Sequence, residues 1–374
     1  MSNVSEEKTE TRKYYIDNIR WVTVCLVILY HVIYMFNSVG VISNIGVTGI
    51  REMDAVLYFI YPWFMCLLFV VGGMSARYSL QKRSKKAFVK ERIKRLLVPS
   101  IAGIFILGWI SGWVTSQYTD MFGGNGDLIP GAVKYILYCL FGIGPLWFAH
   151  ELFLASMVLL LIRAVDKKDK LYEIGGRVNF IWLCLLVVAV WGSAQILNTP
   201  LIEVYRNGIY IFMFLLGYYV FSHETVTDCL AKHFIWLLPL SVIGGVAYTI
   251  CFFGQNYASQ ACLRHPFTNL YAWFMILALL GLFKACFQKT NRFAAYMTER
   301  NFGFYVLHYP LMCVIAYVIT TYLSLPMPAV YVVLLIAEIV LLPLCYELVS
   351  RIPGLRFLLL GKTKSDKNQR EVKN

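Results

Sequence analysis

Apolar residues in this chain gather into ten blocks of about bilayer length, at residues 18–37, 55–76, 96–115, 145–162, 179–196, 207–222, 234–253, 267–286, 302–321 and 329–350. A run of about 20 apolar residues is what a helix needs to cross the hydrocarbon core of a membrane. Polar and basic segments separate the blocks. The pattern predicts an all-α, polytopic membrane protein of about ten transmembrane helices. The sixth block is short, and the fourth is preceded by a half-apolar stretch, 133–143, that suits a re-entrant or interfacial helix. Residues 1–16 are polar, and the first block is too long for a signal peptide and lacks a small-residue cleavage site, so it reads as a spanning helix. The expected organisation is a polar tail over 1–16, a membrane domain over 17–350 and a basic tail over 351–374.

Charge orients this frame. An even number of spans puts both termini on one side. Of the 34 Lys and Arg residues, only Arg51, Lys134, Arg206 and Arg264 fall in segments on the opposite side, a 30 to 4 division. Basic residues accumulate in cytoplasmic loops, so both termini are expected in the cytoplasm. The net charge of +13 then reports those loops and not a nucleic-acid partner. With 59% hydrophobic and 15% charged residues and a mean hydropathy of +0.63, a disordered or nucleic-acid-wrapping chain is excluded. The 10 cysteines are scattered without a C-x-x-C pair, so neither a disulfide framework nor a metal site is expected. Trp and Tyr at the span ends read as interfacial belts.

Ionisable side chains inside spans are costly and point to function. They are Arg20 and His31 in the first span, His150 and Glu151 in the fourth, His308 in the ninth and Glu338 in the tenth, with Asp17, Arg92 and Arg95 at span ends. Arg20 and His31 are eleven residues apart, about three turns and ~16 Å along one face of a helix. Such a face suits a long ligand with an anionic head at the guanidinium and a reactive end at the imidazole, the form of a coenzyme A ester. It equally suits an interfacial Arg and a His bonded to a neighbouring helix. Arg92 and Arg95 share a face at i and i+3 and end a long basic run. They suit phosphate, which guanidinium grips bidentately, or a topogenic cluster at anionic lipid.

Four motifs extend this reading. Tyr15-Ile16-Asp17-Asn18-Ile19-Arg20 is followed after ten residues by His31; Val71-Gly72-Gly73-Met74-Ser75 precedes Arg92-Ile93-Lys94-Arg95 and Pro99; Gly144-Pro145-Leu146-Trp147-Phe148 precedes Glu151; and Tyr305-Val306-Leu307-His308-Tyr309-Pro310 lies in a late span. In that order, over about residues 14–350, they resemble the acyltransferase 3 family of integral-membrane acyltransferases, in particular the branch that includes the glucans biosynthesis protein C type. The first matches its R-x10-H motif, the second its R-x-x-R-x-x-x-P segment and the fourth its Y-x-x-H-x-P. The third departs from the W-S-L-x-x-E-x-x-F-Y of the polysaccharide O-acetylating members.

The resemblance implies transfer of an acyl group, acetyl first and succinyl second, from cytoplasmic acyl-CoA to a hydroxyl of a cell-envelope carbohydrate or lipid-linked precursor. The setting is a bacterial plasma membrane. Acyl-CoA is then a co-substrate, and no tightly bound cofactor is expected. Arg20, Arg92 and Arg95 would bind it. His31 would act as general base or take the acyl group itself. His308 and Glu151 are orienting or second-base groups, or are merely paired inside the bundle, and Glu338 reads as structural. A proton-coupled transporter or flippase of an envelope precursor would also use buried His and Glu, but the intramembrane charges fall on the acyltransferase motif positions.

Overall fold

The computed structural model describes residues 12–199 and 204–363. Its regular structure is helical, with no strand among the described residues beyond an isolated bridge between Asn198 and Arg206. The main helices are α1 (Tyr14–Tyr34), α2 (Arg51–Lys82), α3 (Lys85–Ser116), α4 (Gly131–Phe141), α5 (Gly144–Val165), α6 (Phe180–Ser193), α7 (Asn207–Tyr219), α8 (Glu224–Phe252), α9 (Pro266–Cys286), α10 (Arg292–Tyr322), α11 (Met327–Arg351) and α12 (Pro353–Leu360). Eight of these, α1–α3, α5 and α8–α11, are long and apolar enough to cross a membrane. They coincide with the first four and last four predicted spans, and the chain is a polytopic membrane protein. The fifth and sixth predicted spans are the shorter helices α6 and α7. The half-apolar stretch becomes α4, whose 11 residues rise only ~16 Å against a ~30 Å hydrocarbon core.

Glycine decides how the short helices dock. A Cβ on Gly73 would lie 1.9 Å from the Phe214 carbonyl oxygen, and one on Gly217 would lie 2.0 Å from that of Val70. Both positions therefore admit only glycine, and the backbones of α2 and α7 meet there. Small residues are the usual means of bringing helices together where lipid is as apolar as the protein interior.

Two irregularities shape the long helices. Pro62 interrupts α2 between Ile60 and Phe64. The Trp63 N–H turns to the Ile60 carbonyl at 3.4 Å, and the Phe59 carbonyl it leaves accepts instead from the Trp63 indole at 2.7 Å and from the Tyr271 hydroxyl at 2.6 Å. In α3, a π-helical turn over Ile93–Leu97 takes in the end of the basic run, and a second spans Ile104–Gly108. Within the expected basic tail, α12 folds back on α3, with Leu359 and Leu360 buried. The rest of that tail from 364, and residues 1–11 of the amino-terminal one, lie outside the described residues.

Helices α8 and α11 present apolar side chains such as Ile243, Ile250, Ile336 and Ile339 outward. Exposed apolar area of that extent belongs against lipid. The largest buried cluster draws on α1, α2, α5, α7 and α9.

Candidate active site

Helices α1 and α10 pack together and bring two histidines 277 positions apart into contact. Nε2 of His308 lies 3.3 Å from Nδ1 of His31. Nδ1 of His31 is also 2.8 Å from the Val27 carbonyl oxygen. Nδ1 of His308 lies 2.8 Å from the Tyr305 carbonyl oxygen and 3.2 Å from that of Phe304. A carbonyl oxygen only accepts, so in each neutral ring the proton sits on Nδ1. His308 then turns a lone pair toward the Nδ1–H of His31, which it shares with the closer Val27 carbonyl. The nitrogen of His31 left with a free lone pair is Nε2. His308 is fully buried, whereas His31 is partly exposed and lines a cavity of about 480 Å³.

This cavity opens on the side of the bundle away from the amino terminus, between α1, the break at Pro62, the start of α5 and the segment leading into α7. Its wall is rich in aromatic side chains, among them Tyr34, Tyr61, Trp147, Tyr210, Tyr305 and Tyr309. The rings of Tyr30, Tyr34 and Tyr309 stand 5.1, 5.6 and 5.0 Å from that of His31. Gly144 has φ of 50°, and a Cβ there would meet the Tyr309 ring at 2.7 Å, so glycine is required at this corner on both counts. The Tyr305 hydroxyl donates to the Pro145 carbonyl, and that of Tyr309 donates to Asn44. The motifs of the fourth and ninth predicted spans thus close one wall together.

At the other end of α1 lies a basic pocket of about 280 Å³, lined by Arg12, Lys13, Asp17, Arg20, Ser75 and Lys82 among others. Arg20 pairs with Asp17 at 3.2 Å and donates to the Ser75 hydroxyl. Asp17 also pairs with Arg12 at 2.7 Å. Arg20 and His31 therefore head two separate pockets along one stripe of α1, as their spacing predicts.

Arg92 and Arg95 do not line this pocket. Arg92 lies over the Phe88 ring at 4.7 Å and within electrostatic reach of Arg20, Arg95 and Arg83, and its Nε has no partner among the described residues. Arg95 pairs with Glu91 at 3.3 Å and is 41% exposed. Of the three expected donor-binding arginines, Arg20 is in the pocket, Arg92 is beside it and Arg95 faces outward.

Glu151 is buried but is not among the residues lining the His31 cavity. With the nitrogen of the Asn207 amide turned toward it, Asn207 donates to Glu151 Oε2 at 3.2 Å and also to Oε1. That contact ties α5 to the start of α7. Glu338 is fully buried, and neither carboxylate oxygen has a partner among the described residues. His150 Nδ1 lies 3.0 Å from the Tyr205 hydroxyl. The motif reading gave no role to Ser75, which lies beside Arg20, or to the tyrosines around His31, although Ser75, Tyr305 and Tyr309 stand within its motifs. Arg206 also went without a role, and it had a signal: it is one of the four basic residues on the side depleted of them.

Within a multi-pass helical bundle, buried His308 backs partly exposed His31, and His31 faces an aromatic-lined cavity, an arrangement with the means to accept a proton. The acyltransferase domain model matches residues 13–347, and the chain belongs to the acyltransferase 3 family of membrane O-acyltransferases. That match does not separate the branches of the family. No curated protein and no solved structure matches the chain.

Proposed function

We propose that this protein moves an acyl group, acetyl in the simplest case, from cytoplasmic acyl-CoA to a hydroxyl of an envelope carbohydrate or its lipid-linked precursor at the outer face of a bacterial plasma membrane. The observation that carries this reading is the arrangement along α1. The basic pocket at Arg20 stands at one end, and the His31–His308 pair stands in a separate aromatic cavity near the other. A CoA ester carries phosphates at one end and a thioester on a long flexible arm, which suits two sites on one helix face.

The chemistry follows from the tautomers. Nε2 of His31 accepts the acceptor's hydroxyl proton as the oxygen attacks the thioester carbonyl. The C–O bond forms, the C–S bond breaks, and the imidazolium gives its proton to the departing thiolate. His308 accepts from the Nδ1–H of His31, which fixes the ring and stabilises its protonated form, as a third group does in other nucleophile–base sets. In a relay variant Nε2 attacks the thioester carbonyl, the C–S bond breaks and the thiolate leaves; the hydroxyl then attacks the acyl-imidazolium, the N–C bond breaks, and the hydroxyl proton passes to the thiolate. The aromatic wall suits a sugar, whose apolar ring faces stack on such side chains while its hydroxyls meet the phenol groups.

Membranes containing the protein, incubated with labelled acetyl-CoA and cell envelope extract, should transfer label to a carbohydrate fraction. Membranes with the inactive His31→Gln variant should not. Equal label in both would end this reading.

A further inference from the structure

The outer cavity has one permanent charge among its described lining residues, Arg206. The residue is 4% exposed and sits immediately before α7, where its backbone is held in the isolated bridge with Asn198. Of its side-chain donors only Nη2 has a partner among the described residues, the Leu263 carbonyl at 3.1 Å; Nε is buried and unmet. No carboxylate among the described residues lies within ion-pair distance of it. The charge is felt at Cys66 and Tyr210, both of the cavity wall. A guanidinium buried in a membrane protein is costly unless paired. Holding one carbonyl does not require a permanent charge with five donors. The planar fork is instead matched to carboxylate or phosphate.

We infer that Arg206 binds an anionic group of the substrate, a carboxylate or a phosphate, in the same cavity that presents His31. The inference rests on the acyltransferase reading above and narrows its substrates. The neutral polar surface of the tyrosines takes the sugar, and the anionic group seats at Arg206 and so chooses which hydroxyl reaches His31. Two sources supply such a group: an acidic or phosphorylated acceptor, or the far carboxylate of a dicarboxylic acyl group.

The test is mass spectrometry of envelope glycans and lipid-linked saccharides. The samples come from cells with the full-length protein, without it, and with Arg206→Gln or Arg206→Lys, with protein level and detergent melting temperature measured alongside. The acylated species that depend on the protein should carry a carboxylate or phosphate. A monocarboxylic acyl increment on an anionic glycan assigns the group to the acceptor, and a dicarboxylic increment on a neutral glycan assigns it to the acyl donor. In Arg206→Gln their yield should fall at least ~10-fold at unchanged protein level, the scale of a lost charged hydrogen bond, with Arg206→Lys in between. A monocarboxylic acyl group on a neutral glycan would overturn this inference and leave the acyltransferase reading standing. The absence of any acyl difference would overturn that reading, and this one with it. The comparison of wild-type with protein-free cells decides the charge question whether or not the variants fold.

Discussion

Nε2 of His308 faces Nδ1 of His31 across 3.3 Å, and the carbonyls of Tyr305 and Val27 hold both rings in the tautomer that makes this contact a hydrogen bond. A ring so held presents its remaining nitrogen in one direction. Removing the acceptor at His308 should loosen the orientation of His31 without removing the base. His308→Phe should lower kcat for acyl transfer by about 10²-fold. His308→Gln, whose amide oxygen can accept from Nδ1–H, should retain clearly more activity than His308→Phe. Equal activity of the two would show that His308 only fills space.

Loss of the base itself is expected to be more severe. His31→Ala and His31→Gln should both abolish measurable transfer, a loss of ~10²–10⁴-fold for a general base and more for an obligatory acyl carrier. Both should insert normally, because among the described residues the His31 ring's hydrogen-bond partners are limited to the Val27 carbonyl and His308. Mass spectrometry of rapidly quenched protein separates the routes: an acyl adduct on His31 favours the relay.

The arginines should differ in donor binding. Lysine keeps the charge and loses the planar fork. Arg20→Lys, inside the basic pocket, should weaken acyl-CoA binding by about tenfold, the scale of one charged hydrogen bond. Arg92→Lys should have a similar or smaller effect. Arg95→Lys, exposed and paired with Glu91, should have little effect. Titration of detergent-solubilised protein with acyl-CoA gives the three constants, and a dominant effect at Arg95 would move the donor site to the outward face of α3.

Orientation is open to direct measurement. A reporter at the carboxyl terminus should read as cytoplasmic, and one inserted in the loop at 123–127 as external. An external carboxyl terminus would put the basic pocket at Arg20 on the side without CoA, which is incompatible with the proposed donor.

The α2–α7 contact is expected to tolerate no side chain. Gly217→Ala places a Cβ 2.0 Å from the Val70 carbonyl oxygen. The overpacking should cost ~1–3 kcal/mol and appear as a lower melting temperature and less folded protein in detergent. Gly354→Ala, where a Cβ meets nothing within 4 Å, is the control and should leave the melting temperature unchanged or slightly higher.

The linear chain already contained the eight long spans, the asymmetric sorting of Lys and Arg, and the stripe joining Arg20 to His31. Each depends on quantities local to one segment: block length, loop charge, or the turn of a single helix. The His31–His308 contact was not legible from the residues alone. In a membrane both the lipid-facing and the core-facing sides of a helix are apolar, so the hydrophobic pattern does not say which neighbour a helix meets. That choice fell to backbone details: the glycine contact of α2 with α7, the break at Pro62, and the left-handed corner at Gly144 that only makes room once Tyr309 of α10 is in place. The same details separated residues that the motifs had grouped. Arg95 turned outward and Glu151 was left against Asn207. Arg206, a lone basic residue in an outer segment by sequence, became the one fixed charge among the described residues of the cavity wall, because the bridge to Asn198 and the start of α7 hold its side chain inward.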